Sequence, residues 1–210
     1  MRGERGIVWE DIMNNRVNIT VYKWAGSWGP FKIKIPCGEC ALTRDVIKDT
    51  IDNELAGIPV DLDVREWLTE WWKPLKKGGW HAPIVMVDGA VISQGGALNR
   101  GVLVQAVVER YSQGSRVVGN HLFGKDDCPH CRRAKRCLEQ LGIHYRYHNV
   151  ISNPRDLYEM LARVKPIIGG KTPVTVPQIW IDGIYVGGAD QLRDAVQHDA
   201  KSPAVAGHGG

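Results

Sequence analysis

Lys125-Asp126-Asp127-Cys128-Pro129-His130-Cys131-Arg132-Arg133-Ala134-Lys135-Arg136-Cys137-Leu138 is the stretch whose reading decides the fold. Its paired cysteines stand where an apolar run, residues 117–123, gives way to helix formers. Ala134, Cys137, Leu138 and Leu141 fall at helical spacing, and Gly142 closes the helix. Pro129 suits the first helical position, where its missing N–H loses nothing. This placement matters chemically. The thiolate, not the thiol, attacks disulfides, and a free cysteine titrates at about 8.5. At a helix start, unpaired N–H groups and the helix dipole favour the Cys128 anion, and Lys125 adds positive charge. Cys131, one turn on, is placed to attack a mixed disulfide on Cys128 and close the ring. Cys128 is therefore expected to be the solvent-exposed attacking thiol and Cys131 the shielded one.

Reading outward, residues 143–150 are strand-like, and Pro154 starts a helix with Leu157, Met160, Leu161 and Val164 on one face. Residues 177–186 hold two short strands around Asp182-Gly183, a hairpin signal. Gly187-Gly188 then leads into a helix over residues 190–198. The order is β-α-β-α-β-β-α, a small α/β domain.

The first half repeats that order. A strand at 17–24 precedes Cys37-Gly38-Glu39-Cys40, which opens a helix to about residue 55. A strand at 58–64, a helix at 67–77, and strands at 83–87 and 90–93 around Asp88-Gly89 follow. Gly95-Gly96 precedes a helix ending near residue 111. Cys37 to Cys128 and Pro83 to Pro177 are offset by 91 and 94 residues, so a whole domain is duplicated. The expected division is a domain over 1–112, a second over 116–198, and a flexible tail over 199–210. Residues 1–15 have no counterpart and read as an extra helix on the first domain.

With 43% hydrophobic and 24% charged residues among 210, the composition is that of a soluble globular protein. No apolar run approaches the roughly 20 residues that span a bilayer, and no secretory leader is evident. A cytoplasmic protein without membrane contact is expected. The net charge of +4 falls entirely after Ser112, so an acidic small molecule suits the second half. Arg132, Arg133, Lys135 and Arg136 cluster, but nothing interleaves basic with aromatic residues, and no nucleic acid is expected. The two cysteine pairs are too far apart for a zinc ribbon, and neither is followed by the histidine that covalent haem requires. No metal is expected.

The sequence resembles the glutaredoxin family in three motifs that arrive in order over residues 116–198. They are Lys125-x-x-Cys128-Pro129-His130-Cys131, Thr175-Val176-Pro177-Gln178-Ile179 and Gly187-Gly188-Ala189-Asp190. The resemblance implies two tandem thioredoxin/glutaredoxin-like domains, each a small mixed sheet flanked by helices. It implies a thiol–disulfide oxidoreductase with glutathione as co-substrate and disulfide-containing or glutathionylated proteins as clients. Cys128 would be the nucleophile and Cys131 the resolving cysteine. Pro177 would be cis, exposing the backbone of Val176 to the cysteinyl part of glutathione. Thr175 belongs to the same motif. Gly188 and Ala189 would hold the γ-glutamyl carboxylate, Asp190 its amine, and Lys125 the glycyl carboxylate. Arg163, Lys165 and Lys171 are further candidates for that work. His130 departs from the usual tyrosine. Cys-Pro-His-Cys is instead the motif of the periplasmic oxidase family typified by DsbA, where an imidazole beside the thiolate makes the disulfide more oxidising.

Cys37 and Cys40 are read as a second redox pair of altered specificity. Lys34 stands at the place of Lys125, and Ala82-Pro83 at that of Val176-Pro177, with Pro83 also expected cis. No aspartate follows Gly95-Gly96, and an insertion at 25–34 could shape the site. Trp67 and Trp71 are expected to share a helix face against the sheet. Two alternatives stay open: a tandem-domain disulfide oxidoreductase working without glutathione, and a glutaredoxin with an iron–sulfur cluster role.

Overall fold

A computed structural model describes residues 15–34, 37–169 and 173–201, without the side chains of Trp28, Phe31, Ile33, Lys34 and residues 198–201. The chain divides into two compact units, Met1–Ser115 and Arg116–Gly210. The extra helix expected at the N-terminus, Lys171 and most of the tail lie outside the described residues. Among the described residues no helix is long and apolar enough to cross a membrane.

Unit one contains β1 (Val17–Lys23), β2 (Ala25–Trp28), β3 (Phe31–Lys34), α1 (Gly38–Asp52), β4 (Val60–Glu66), α2 (Trp67–Glu70), α3 (Trp72–Leu75), β5 (Ile84–Val87), β6 (Ala90–Gln94) and α4 (Arg100–Gly114). Its four-stranded sheet has the order β4-β1-β5-β6, with β1 and β4 parallel and the other pairs antiparallel. Unit two contains β7 (His121–Gly124), α5 (Pro129–Gln140), β8 (Arg146–Asn149), α6 (Pro154–Ile168), β9 (Gln178–Ile181), β10 (Ile184–Gly187) and α7 (Ala189–Lys201). Its sheet repeats the arrangement as β8-β7-β9-β10. Unit two is the thioredoxin-type βαβαββα unit that the motif order predicts, and unit one is the same unit with a hairpin inserted after its first strand and its second helix split in two.

Local chemistry explains the elements. Each hairpin turns on an Asp-Gly pair with positive φ at both residues, Asp88-Gly89 and Asp182-Gly183, the signature of a type I′ turn. Asn153 caps α6 by accepting from the N–H of Arg155. In unit two, Leu122 and Ile179 on one face of the sheet pack against Ala134 and Leu138 of α5 and Ala189 and Leu192 of α7. Phe123 and Trp180 face Met160 and Val164 of α6. On that second face His121 Nδ1 meets His148 Nε2 at 2.9 Å, and His148 Nδ1 meets Asp156 at 3.0 Å, tying β7 and β8 to α6.

Several expectations need correction. Strand β7 starts four residues later than predicted, because Gly119 adopts φ 84 and Val118 points to solvent. The helix expected over 67–77 is two single turns. Pro74 cannot continue a helix begun at Trp67, since its ring clashes with the preceding turn. Trp71 therefore does not share a buried face with Trp67. It is exposed, while Trp67 stacks on Trp24 with ring centroids 5.0 Å apart. The insertion at 25–34 folds as the β2–β3 hairpin, held to α2 by the N–H of Ser27 on Thr69 Oγ1. Helix α6 continues through Pro166 to Ile168, and α7 continues to Lys201, three residues into the expected tail.

Candidate active site

Cys128 is the N-cap residue of α5, and its Sγ accepts the N–H of Cys131 at 3.4 Å. The sequence places it there because Pro129 can follow an N-cap but not sit deeper in a helix. From across the site, the carbonyl of Val176 lies 3.9 Å from Cys128 Sγ. The bonds Val176-Pro177 and Ala82-Pro83 are both cis, as expected. Cys128 is only 6% exposed, so the expectation of a solvent-exposed thiol is corrected. Cys131, at 1%, is the deeper of the two. Its Sγ lies against the Val176 carbonyl, a contact from a segment distant in sequence that the helix position alone does not reveal.

The two thiols titrate in opposite directions. Burial alone pushes Cys128 up. The N–H and thiol of Cys131, the N–H of His130 and the charge of Lys125 act against it, and the balance holds Cys128 below the ordinary thiol value. Burial pushes Cys131 up to about 11, reinforced by its neighbour Cys128 and opposed by the N–H of Lys125 and the charge of Lys135. The fold therefore favours the anion at Cys128 and the protonated thiol at Cys131.

The residues expected to hold glutathione differ in exposure and in the partners they already have. Lys125 is exposed on the loop after β7. Thr175 is exposed, and its carbonyl accepts from Gln178 Nε2 at 2.6 Å. The Gly188 N–H donates to Gln191 Oε1 at 3.1 Å, the backward half of a capping box on α7. Ala189 is buried. Asp190 is exposed, with its Oδ1 2.7 Å from Arg133 Nη2. Arg163 is not at the site. It bonds Glu159, one turn earlier on α6.

Sequence reasoning missed Arg133, Gln191 and Tyr147. Tyr147 lies beside Cys131, donates to Asp126 at 2.9 Å and carries Lys135 Nζ 3.4 Å above its ring. Burial, then the Asp126 carboxylate, push its hydroxyl well above the usual tyrosine range. Helical spacing could have joined His130 to Arg133, but nothing local joins Arg133 to Asp190.

In unit one, Cys37 caps α1 and accepts the N–H of Cys40 at 3.4 Å. Burial raises Cys40 to about 11, while the N–H of Trp24 on its Sγ, at 3.4 Å, opposes the rise. The N–H that serves Cys131 comes from Lys125, so the positional counterpart of Lys125 is Trp24 rather than Lys34. The β2–β3 hairpin is inserted between Trp24 and the cysteines. A cleft of about 570 Å³ opens beside both thiols, bordered by Trp24, Val64, Lys23 and Arg44.

Two thiols one helical turn apart, the first acidified at the helix start, define a thiol–disulfide oxidoreductase of thioredoxin fold. The glutaredoxin family model matches residues 121–186. The chain is 37% identical over 71 residues to Glutaredoxin 3 of Escherichia coli K12, covering 34% of this chain and 77% of that protein. It is 42% identical over 78 residues to a glutaredoxin of Pseudomonas aeruginosa, covering 37% and 83%. Among solved structures it is similar to the buckwheat glutaredoxin–glutathione complex, with TM-score 0.37 and 22% identity over 46% of this chain and 84% of that one. The chain belongs to the glutaredoxin family.

Proposed function

We propose that the second unit uses glutathione to reduce glutathione mixed disulfides and protein disulfides, with Cys128 as nucleophile. The carrying observation is that Cys128, acidified at the start of α5, faces the Val176 carbonyl across the site. In the one-cysteine route, the Cys128 thiolate attacks a client's glutathione mixed disulfide. A sulfur–sulfur bond forms to glutathione, and the client thiolate leaves. A second glutathione thiolate then attacks that bond, giving glutathione disulfide and restoring Cys128. In the two-cysteine route, Cys128 attacks a client disulfide. Cys131 gives up its proton, attacks Cys128 and releases the client dithiol. Glutathione then reduces the Cys128–Cys131 disulfide.

Lys125 would take the glycyl carboxylate and the Val176 backbone the cysteinyl part. Thr175, Gly188, Ala189 and Asp190 border the γ-glutamyl end. Gln191 and Arg133 already engage Gly188 and Asp190, so glutathione must displace or share those partners. We read Cys37 and Cys40 as a second redox pair without glutathione preference, in a domain of its own. Leu98 stands where Asp190 does, and the cleft leaves room for a different thiol ligand.

A glutathione-coupled assay of mixed-disulfide reduction tests this on the wild type, Cys37→Ser and Cys128→Ser. Loss confined to Cys128→Ser is expected. A wild type idle with glutathione but active on protein disulfides would replace the reading by the glutathione-independent one, and equal loss in both variants would mean that the two units act as one relay.

A further inference from the structure

Cys128, Arg132 and Arg136 follow one another at four-residue intervals, so they stack along one face of α5. Cys128 caps the helix, and both arginines are exposed. The helix carries four cations, Arg132, Arg133, Lys135 and Arg136, against the single carboxylate of Glu139. Helix chemistry does not ask for this. Cations near a helix N-terminus oppose its dipole, and like charges three or four residues apart repel. Two of the four are offset from elsewhere in the chain: Arg133 pairs with Asp190 of α7 at 2.7 Å, and Lys135 with Asp126 at 3.8 Å. Among the described residues no ion pair engages Arg132 or Arg136.

The fold does not ask for it either. Helix α1 holds the same place in unit one with two cations against four carboxylates. Ala41 and Asp45 stand there where Arg132 and Arg136 do. The positive stripe is therefore a property of the second cysteine site, not of the helix that carries it.

We propose that the exposed Arg132–Arg136 stripe is a docking surface for client proteins whose reacting cysteine is flanked by an acidic segment. The proposal rests on the reading of Cys128 as the nucleophile. Four residues of helix rise by about 6 Å, so the arginines lie about 6 and about 12 Å along the axis from Cys128. An extended strand advances about 3.3 Å per residue and points alternate side chains to one side. Acidic residues about two and about four positions from the client's cysteine therefore match the stripe when that cysteine meets Cys128. A peptide fits better than a nucleic acid, because α5 has no Phe, Tyr or Trp on which a base could stack and the stripe leads to a thiol. Such contacts speed encounter and set partner choice more than they tighten the complex.

The test uses the full chain as Cys131→Ser, which traps a peptide on Cys128. Three peptides of one length carry a 2-thiopyridyl disulfide on a central cysteine, with glutamate, glutamine or lysine at the second and fourth positions on either side. The Cys128 thiolate attacks the peptide sulfur, a disulfide between peptide and Cys128 forms, and 2-pyridinethiolate leaves. Mass spectrometry of the Cys128 adduct gives the rate. At about 0.01 M salt the acidic peptide should react roughly three- to tenfold faster than the neutral one, as two exposed ion pairs allow, and the basic one more slowly. At about 1 M salt, where the screening length is about 3 Å, the three rates should converge. Arg132→Gln with Arg136→Gln should remove the preference and leave the neutral peptide's rate unchanged. Equal rates for the acidic and neutral peptides at low salt, or a preference that survives in the double variant, overturn the docking surface alone. Absence of a Cys128 adduct with every peptide overturns the nucleophile reading and the surface with it. A single-stranded oligonucleotide held by the wild type but not by the double variant, with no preference among the peptides, would give the stripe to nucleic acid and overturn the proposal.

Discussion

The two cysteine sites share a backbone and differ in what closes around it. In each, the first cysteine caps a helix, the second accepts an N–H from the residue after the first strand of the sheet motif, and a cis proline directly precedes the first strand of the Asp-Gly hairpin. In unit two, Tyr147 on β8 fills the space beside Cys131, and Gly124 makes room for the sulfur. By strand register Val64 occupies the place of Tyr147, and Lys23 that of Gly124. The smaller Val64 leaves the 570 Å³ cleft beside Cys40. Leu42, 52% exposed, and Leu98, 5% exposed, stand where Arg133 and Asp190 form their ion pair. A Cys-x-x-Cys at a helix start thus fixes the thiol chemistry, whereas residues on three other elements decide what ligand reaches it.

The sharpest break of the comparison removes the second cysteine of each pair. Cys131→Ser should keep much of the activity on glutathione mixed disulfides, which needs only Cys128. Its turnover of protein disulfides should fall by about two orders of magnitude or more, since no thiol remains to release the client. Cys40→Ser should leave the glutathione-coupled rate near wild type. Equal losses in the two variants, measured with both substrates, would show that the units act as one relay. The next effect is on stability. A Cβ at Gly124 would lie 3.0 Å from Cys131 Sγ, 3.2 Å from Leu122 and 3.4 Å from Tyr147. Gly124→Ala should therefore cost about 1–3 kcal/mol, read as faster hydrogen exchange in β7 and α5. Lys23→Ala should change little, because its ion pair with Glu66 is solvent-exposed and such pairs contribute about 0–1 kcal/mol.

The fold was legible because its signals are local. The helix start at Cys128, the apolar period of α5 and the two Asp-Gly turns each follow from neighbours within a few residues. Failures occurred where a distant or competing group decides. Pro74 splits a periodic segment, Gly119 delays a strand, and the hairpin before Cys37 moves Lys34 away from the counterpart of Lys125. The candidate site was legible as a set of motifs but not as a set of bonds. Nothing near Asp190 announces Arg133, which is 57 positions away. The contact between Cys128 and the Val176 carbonyl likewise spans 48 positions.

Filling the cleft sharpens the contrast further. Val64→Tyr would place an aromatic ring where Tyr147 stands in unit two. Alkylation of Cys40 in the reduced protein should slow several-fold, while labelling of Cys128 stays unchanged. Unaltered Cys40 labelling would mean that the cleft is not the route to that sulfur.

The smallest expected effect is the pH dependence of stability in the reduced chain. A thiol held below its unfolded value binds fewer protons when folded, so its contribution is present above the unfolded value and fades as pH falls through the folded one. Cys128 is in that position, so unit two should gain stability as pH rises toward 9.0. Cys131 and Cys40 have the opposite sign. Both are raised to about 11, so their contribution is present below 9.0 and disappears as pH climbs through about 11. Among the three thiols, the window below 9.0 therefore isolates Cys128, and His121, lowered by burial, acts alike in wild type and variant. Urea unfolding of the reduced protein at about pH 6 and about pH 8.5 should show the wild type gaining on Cys128→Ser as pH rises. Cys40→Ser should run parallel to the wild type across the same interval. A constant gap between wild type and Cys128→Ser would mean that the start of α5 does not favour the thiolate. The acidity of Cys128 would then have to come from the bound substrate rather than from the fold.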